Sequence, residues 1–302
     1  MKILNFGSLN IDYVYSVDHF VQKGETISSD SLEVFSGGKG LNQSIAMGRA
    51  GTSVFHAGAV GADGEGLLQL LRQAGVDTGL VEVSATVRTG NAIIQRDRSG
   101  DNCIILYGGA NQSISEEQIE RTLEPFAAGD YLVLQNEING MRAIMEKAHQ
   151  RGLRIVLNPS PMNEKIKALP LAFVDYFILN EIEAKALLEQ ENIAKTDGEG
   201  LIRRLAERFP GAVVLLTLGA DGAMYLDQKE NLYQPAYSVP VKDTTAAGDT
   251  FTGYFMAGLL KGLTKAECMQ MAAKAAAIAV SRPGAAPSIP TWAEVEQFGA
   301  KG

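Results

Sequence analysis

Tyr131-Leu132-Val133-Leu134 is a short, wholly apolar run. It is followed by the amphipathic stretch Gly140-Met141-Arg142-Ala143-Ile144-Met145-Glu146-Lys147-Ala148-His149-Gln150 and then by a second apolar run, Ile155-Val156-Leu157. A buried strand, a helix and a second buried strand in that order predict a parallel pair joined by a helical crossover. The unit recurs along the chain. Ile3–Phe6, Val54–Ala57, Tyr176–Leu179 and Val213–Thr217 are further strand-like runs. Leu41–Ala50, Leu67–Ala74, Glu181–Gln190 and Gly198–Arg208 are further helix-like stretches. Ser115-x-x-Gln118 and Thr264-x-x-Glu267 have the form of capping boxes that open two more helices. Near-continuous apolar strands separated by helices define the α/β class, with a parallel sheet covered on both faces.

Composition agrees with one large globular chain. Of 302 residues, 46% are apolar, 21% charged and 7% aromatic, which excludes collagen, coiled coil and general disorder. Lys+Arg number 27 against 35 Asp+Glu, a formal charge of −8. Such a surface repels a nucleic-acid backbone, so no nucleic-acid partner is expected. Anionic small ligands stay open, because backbone dipoles bind phosphate whatever the net sign. Cys103 and Cys268 both lie in apolar segments and read as buried thiols of a reducing compartment. His19, His56 and His149 form no zinc pattern. The N-terminal apolar run is too short for a signal peptide, and no run of ~18 apolar residues spans a membrane. A cytoplasmic location is the default expectation.

Two segments, Tyr13–Phe35 and Arg88–Gly109, break the alternation. Both carry β-type residues and turn signals without a helix, and Asp97-Arg98-Ser99-Gly100-Asp101 reads as a hairpin tip. They predict a small β-sheet lid beside the carboxyl ends of the parallel strands, where open α/β sheets bind ligands.

Five motifs carry candidate chemistry. In Asp243-Thr244-Thr245-Ala246-Ala247-Gly248-Asp249-Thr250-Phe251, small residues precede a helix start, so backbone N–H groups can converge on an anion. Asp249 there fits two roles on local sequence, a helix cap or an acid that accepts a hydroxyl proton. Ser36-Gly37-Gly38-Lys39-Gly40-Leu41-Asn42-Gln43 fits close backbone approach to a ligand or a plain tight turn. It is not a P-loop, and the chain has no GxGxxG. Asn10 and Asp12, at i and i+2 after the first strand, project to one side and suit either hydroxyl recognition or an Asx turn. Asn180-Glu181-Ile182-Glu183 is either an N-cap or a polar pair that orients hydrated Mg²⁺. Thr217-Leu218-Gly219-Ala220-Asp221-Gly222 holds a nucleotide or simply turns a hairpin.

These motifs occur in the order used by the ribokinase-like, phosphofructokinase-B family of sugar kinases, which the chain resembles over essentially its whole length. Gly37-Gly38-Lys39-Gly40 and Asp243–Asp249 resemble its two signatures. Gly7–Asp12, Gly109-Ala110-Asn111 and Arg282–Pro290 are most similar to its ribokinase branch. The resemblance implies a three-layer α/β/α sandwich with a mostly parallel central sheet. Residues 1–12, 36–87 and 110–302 would form the catalytic core, and 13–35 with 88–109 the β-sheet lid. It also implies roles. Asn10, Asp12, Gly38, Lys39, Gly40, Asn42 and Glu137 would hold sugar hydroxyls, with Asp249 as base and Ala246, Ala247 and Gly248 as anion hole. Asn180, Thr217, Gly219, Asp221, Gly222 and Gly248 would line the ATP site, with Glu183 near Mg²⁺. Asp243, Thr245, Ala279, Arg282, Gly284 and Ser288 match loops that hold a monovalent cation such as K⁺.

The resemblance further implies transfer of the γ-phosphoryl group of ATP to a primary hydroxyl, with O5 of D-ribose the first choice, in a homodimer joined through the lid. Deoxyribose, a hexose such as fructose, or a nucleoside are alternative acceptors, and a catalytically silent binding protein is the alternative class. Five positions bear on the acceptor and the nucleotide. Leu41 replaces a smaller residue, Asn91 and Gln95 add polar groups to a lid strand, and Ala273-Lys274 stands where an Asn near adenine is usual.

Overall fold

The computed structural model describes residues 1–189 and 198–299. Nine strands form the main sheet, in the order β13-β12-β11-β10-β9-β8-β1-β4-β5. They are β1 (Ile3–Phe6), β4 (Val54–Gly61), β5 (Asp77–Ser84), β8 (Tyr131–Gln135), β9 (Arg154–Asn158), β10 (Val174–Asn180), β11 (Val213–Thr217), β12 (Ala223–Leu226) and β13 (Asn231–Gln234). All pairings from β5 to β11 are parallel, and β12 and β13 add an antiparallel edge.

The apolar runs are explained by what lies on either side. Along β1, β8, β9, β10 and β11, alternate residues enter two separate cores. Ile3, Val133, Val156, Ile178 and Leu215 enter one, and Leu4, Leu132, Ile155, Phe177 and Val214 the other. With both faces buried no polar alternation survives. The first core is closed by α1 (Lys39–Arg49), α2 (Glu65–Gln73), α8 (Ala247–Leu260), α9 (Lys265–Val280) and α10 (Trp292–Gln297). The second is closed by α3 (Glu116–Leu123), α4 (Met141–Gln150), α5 (Glu164–Lys167), α6 (Glu181–Leu187) and α7 (Gly198–Arg208). The expected layers are therefore present.

A separate four-stranded sheet runs β3-β2-β6-β7, built from β2 (Asn10–Ser16), β3 (Ser31–Gly37), β6 (Gly90–Arg96) and β7 (Asn102–Tyr107). Its β6–β7 hairpin turns at 97–101, where the Asp97 carboxylate accepts hydrogen bonds from Ser99 and the Asp101 N–H.

Some sequence expectations need correction. Cys103 is exposed on β7, and only Cys268 is buried; both are free thiols. Ser115 caps α3, but Gln118 does not return the bond: its side-chain amide donates to the Gly58 carbonyl, so the box is half formed. The Thr264–Glu267 box is complete. The helix expected over Glu181–Gln190 runs to Leu187, and Gln190 lies outside the described residues, as do residues 300–302 of the expected core.

The contact that matters most for the site is between α1 and α8. A Cβ at Gly253 on α8 would lie 2.4 Å from the Ala46 Cβ and 3.0 Å from the Gln43 carbonyl of α1. Gly253→Ala should force the helices apart, costing about 1–3 kcal/mol as overpacking does. Urea unfolding should show a lower midpoint with unchanged m; an unchanged midpoint would mean the helices have slack.

Candidate active site

Strand β1 pairs with β4 on one side and β8 on the other. The chain winds away from it in both directions, so the carboxyl ends of β1 and β8 flank the topological switch point. Ser8 follows β1, Glu137 follows β8, Asn158 ends β9, Asn180 ends β10 and Thr217 ends β11. The lid strand β2 begins there too, with Asn10 and Asp12.

Asp249 is not a cap. The residue before α8 is Ala246, in the left-handed region at φ +61 with no side-chain cap bond, and Asp249 is the third residue of the helix. A non-glycine residue in that conformation is strained, and such strain collects at functional sites. The first intrahelical bond runs from Thr250 N to the Ala246 carbonyl. The N–H groups of Gly248 and Asp249 thus precede the helical ladder at its positive end. The Asp249 carboxylate accepts from the Asn42 amide at one oxygen and from the Gln43 amide at the other, each at 3.0 Å. A buried carboxylate needs such donors.

The glycine loop serves close approach rather than a plain turn. A Cβ at Gly37 would fall 2.0 Å from an Asp12 carboxylate oxygen, and one at Gly40 2.4 Å from the Ser8 nitrogen. Gly38, at φ +97, aims Lys39 into the site. The Glu137 carboxylate accepts from the Lys39 N–H at 2.8 Å and from the Ser8 hydroxyl. Asn10 is held by the Asn111 amide at 2.7 Å.

Charge is concentrated here. Asp249 above all favours the charged Lys39 ammonium, against the effect of burial, and Glu137 and Glu183 add to it. Burial raises Glu137 above the usual carboxylate range although Ser8 and Lys39 donate to it. Burial and then the Glu137 charge raise Asp12 to about 6.

A cavity of about 220 Å³ opens beside Asp249. Its lining includes Lys39, Asn158, Ser160, Asn180, Glu183, Thr217, Thr244, Ala246–Asp249 and Thr252. It is smaller than the ~300–1,000 Å³ that encloses a whole drug-sized ligand, so it suits one end of a larger one. Asn180 and Glu183 form a complete capping box and still line this space. Gly219, Asp221 and Gly222 instead form the turn between β11 and β12, just beyond the lining, with Asp221 exposed.

Asp243, Thr245 and Gly284 are brought together. The Asp243 carboxylate accepts from the Thr245 N–H and hydroxyl and from the Gly284 N–H. Ala279 lies in the last turn of α9 and Ser288 is buried in the following loop, whereas the Arg282 guanidinium turns away to Glu294. Asn158, Ser160, Thr252 and Gln43 are site residues that the sequence reading did not single out; only their positions at strand ends or beside a motif signalled them.

The positions that departed from the family pattern are divided between the core and the lid. Leu41 is fully buried in the core, and Ala273 is buried in the same cluster. The Gln95 side chain accepts from the Val21 N–H within the lid, and the Asn91 amide donates to the Thr89 carbonyl. Leu41 therefore packs the helix instead of shaping the ligand site.

Residues 1–292 match the family model described as pfkB family carbohydrate kinase. The ribokinase of Haemophilus influenzae is 33% identical over 298 residues, covering 97% of this chain and 96% of that protein. A ribokinase from Cryptococcus neoformans var. grubii, solved in complex with ADP, superposes with TM-score 0.89 at 35% identity, covering 98% of this chain and 99% of that one. An Arabidopsis thaliana ribokinase complexed with ribose and ATP gives TM-score 0.85 at 26% identity, covering 98% and 97%. The chain belongs to the pfkB family of carbohydrate kinases, and it is an ATP-dependent sugar kinase.

Carbon-detected NMR titration should find Asp12 titrating near 6. Glu137→Gln should lower that midpoint, because it removes a nearby negative charge, and most of the shift should remain, because burial is the larger cause. A midpoint in the ordinary carboxylate range would contradict this account of the site.

Proposed function

We propose that the protein phosphorylates D-ribose at O5 with ATP. The observation that carries this reading is the Asp249 carboxylate, fixed at both oxygens by α1 beside two N–H groups that precede the α8 ladder. Asp249 accepts the proton of the attacking hydroxyl. The Ala246–Gly248 turn and the start of α8 hold the transferring phosphoryl group, whose loose transition state needs positioning and charge stabilisation above all. Asn10, Asp12, Gly38, Lys39, Gly40, Asn42 and Glu137 hold sugar hydroxyls. The buried Asn42 Oδ1 lacks a hydrogen-bond partner, which suits a polar ligand. Asn180, Thr217, Gly219, Asp221, Gly222 and Gly248 take the nucleotide.

Among the described residues no group of three or more His, Cys, Asp or Glu side chains could hold a metal. That fits Mg²⁺ carried in on the phosphates with most of its waters, near Glu183 alone. Such an ion would neutralise phosphate charge. For a monovalent cation, the juxtaposed Asp243, Thr245 and Gly284 fit, together with carbonyls around Ala279, Arg282 and Ser288. That ion would fix the loop leading into Ala246.

We divide the chain into a core (1–12, 36–87, 110–302) and a lid (13–35, 88–109), and propose that two lids pair in a homodimer. Leu32, Val34, Ile104, Ile105, Leu106 and Tyr107 are exposed on the lid sheet. A four-stranded sheet with bare edges and so much apolar surface favours a partner. No described helix is long and apolar enough to cross a membrane. Two free thiols fit a reducing cytoplasm.

ADP release measured against D-ribose, deoxyribose, fructose and nucleosides should be fastest with D-ribose; a faster rate with another acceptor reassigns the substrate. Asp249→Asn should lower kcat about 10²–10⁴-fold with both substrates still bound, and retention of half the rate would remove it as base. Rates in K⁺ should exceed those in a bulky organic cation at equal ionic strength, and equal rates would remove the cation site. Light scattering at micromolar concentration should give twice the mass of one chain, a monomeric mass being the contrary result.

A further inference from the structure

The Asp249 carboxylate is one end of a chain of buried amides that starts at a backbone carbonyl. The Asn5 amide nitrogen on β1 donates to the Gly40 carbonyl and to the Ser44 hydroxyl, both at 2.8 Å. A carbonyl can only accept, so the Asn5 side-chain oxygen must face the other way. It accepts from the Gln135 amide at 2.9 Å, and the same nitrogen donates to the Gln43 side-chain oxygen at 2.7 Å. With its oxygen engaged there, Gln43 has its nitrogen facing Asp249 at 3.0 Å. A second anchor agrees. The Asn158 amide donates to the Ile178 carbonyl at 2.8 Å, so its oxygen faces the Gln43 nitrogen at 3.3 Å.

Asn5, Ser44, Gln43 and Gln135 are all buried, at 1% exposure or less. Neither Gln43 nor Gln135 is among the residues lining the cavity beside Asp249. An apolar core would be simpler at these positions, because a buried amide is costly unless its groups are paired, and the Gln135 side-chain oxygen has no partner. The chain has one polarity throughout, and that polarity is the one that presents a donor to the carboxylate. A Gln43 flipped by 180° would set its oxygen against Asp249 and its nitrogen against the Gln135 donor.

We propose that Gln43 and Gln135 are positioning residues: Gln135 sets the sense of the Gln43 amide, and Gln43 holds the Asp249 carboxylate in the orientation that receives the hydroxyl proton. The inference rests on the reading of Asp249 as base. Gln43 contacts Asp249 and Gln135 acts one step further back, so their loss should be felt in the chemical step and not in substrate binding.

The test uses the full chain with D-ribose, or the fastest acceptor of the panel, and follows radiolabelled phosphoryl transfer. Gln43→Met should lower kcat about 10–100-fold, the scale on which misplacing a reacting group acts. KM for sugar and for ATP should stay within about 2-fold, since Gln43 touches neither. Gln135→Met should lower kcat less, by about 5–20-fold, because Gln43 can still sample its donating orientation. In an Asp249→Asn background both substitutions should leave the residual rate unchanged, as residues acting through one group must. If Gln135→Met fails to fold by thermal melt, Gln43→Met in the two backgrounds decides the matter. A kcat within 2-fold of wild type in Gln43→Met, a loss appearing in KM, or an equal loss in the Asp249→Asn background would overturn the proposal. If Asp249→Asn itself retains the rate, it is the reading of Asp249 as base that fails.

Discussion

The pairing of one carboxylate with two adjacent amides organises this molecule. Asp249 and the Asn42–Gln43 pair are more than 200 positions apart in the chain, yet the bonds between them are buried. A charge withdrawn from water is tolerable only with such partners. Their geometry requires α1 and α8 to pack in near contact, which the bare Cα of Gly253 allows. The same carboxylate favours the charged form of the neighbouring Lys39. Removing that contact would leave a buried carboxylate without its two amide donors.

The site gathers several carboxylates around one lysine in a chain that already carries −8. Attraction of a polyanionic substrate by side-chain charge is therefore weak. On the proposed function, the main-chain N–H groups at the start of α8 would take that work instead, since backbone dipoles carry no net charge and cannot be neutralised by neighbouring acids. The price is a left-handed Ala246, a strain that only the surrounding fold can hold in place.

The fold was legible where a buried face leaves a clear pattern. Ile3–Phe6 and Val213–Thr217 are strands with the bounds their apolar runs suggest, and Gly198–Arg208 is a helix with its expected bounds. Strand β5 was not, because it lies at the sheet edge, where half-exposed and exposed residues blur its pattern. Cys103 was misplaced for a related reason: β7 is apolar in sequence but exposed at every position. The motif residues were readable because small or charged residues in short order restrict what the backbone can do. Asn5, Gln135 and Asn158 were not, because single polar residues within or at the end of strands acquire meaning only when the sheet aligns them. Leu41 sits within a binding motif and faces the core, a direction that sequence spacing alone does not give.

Strand β1 comes first in the chain and lies inside the main sheet, between β4 and β8. Its second neighbour begins at Tyr131, and the helix bearing Asp249 follows much later in the chain. At about 5–20 residues per second, β1 waits roughly 6–25 s on the ribosome before β8 exists to pair with it. Asn5 must leave water before its partner Gln135 has been made, or remain hydrated until then. Completion of the sheet around β1 therefore waits on the synthesis of β8. A nascent chain truncated before α8 would present an open apolar face to chaperones instead of a smaller working enzyme.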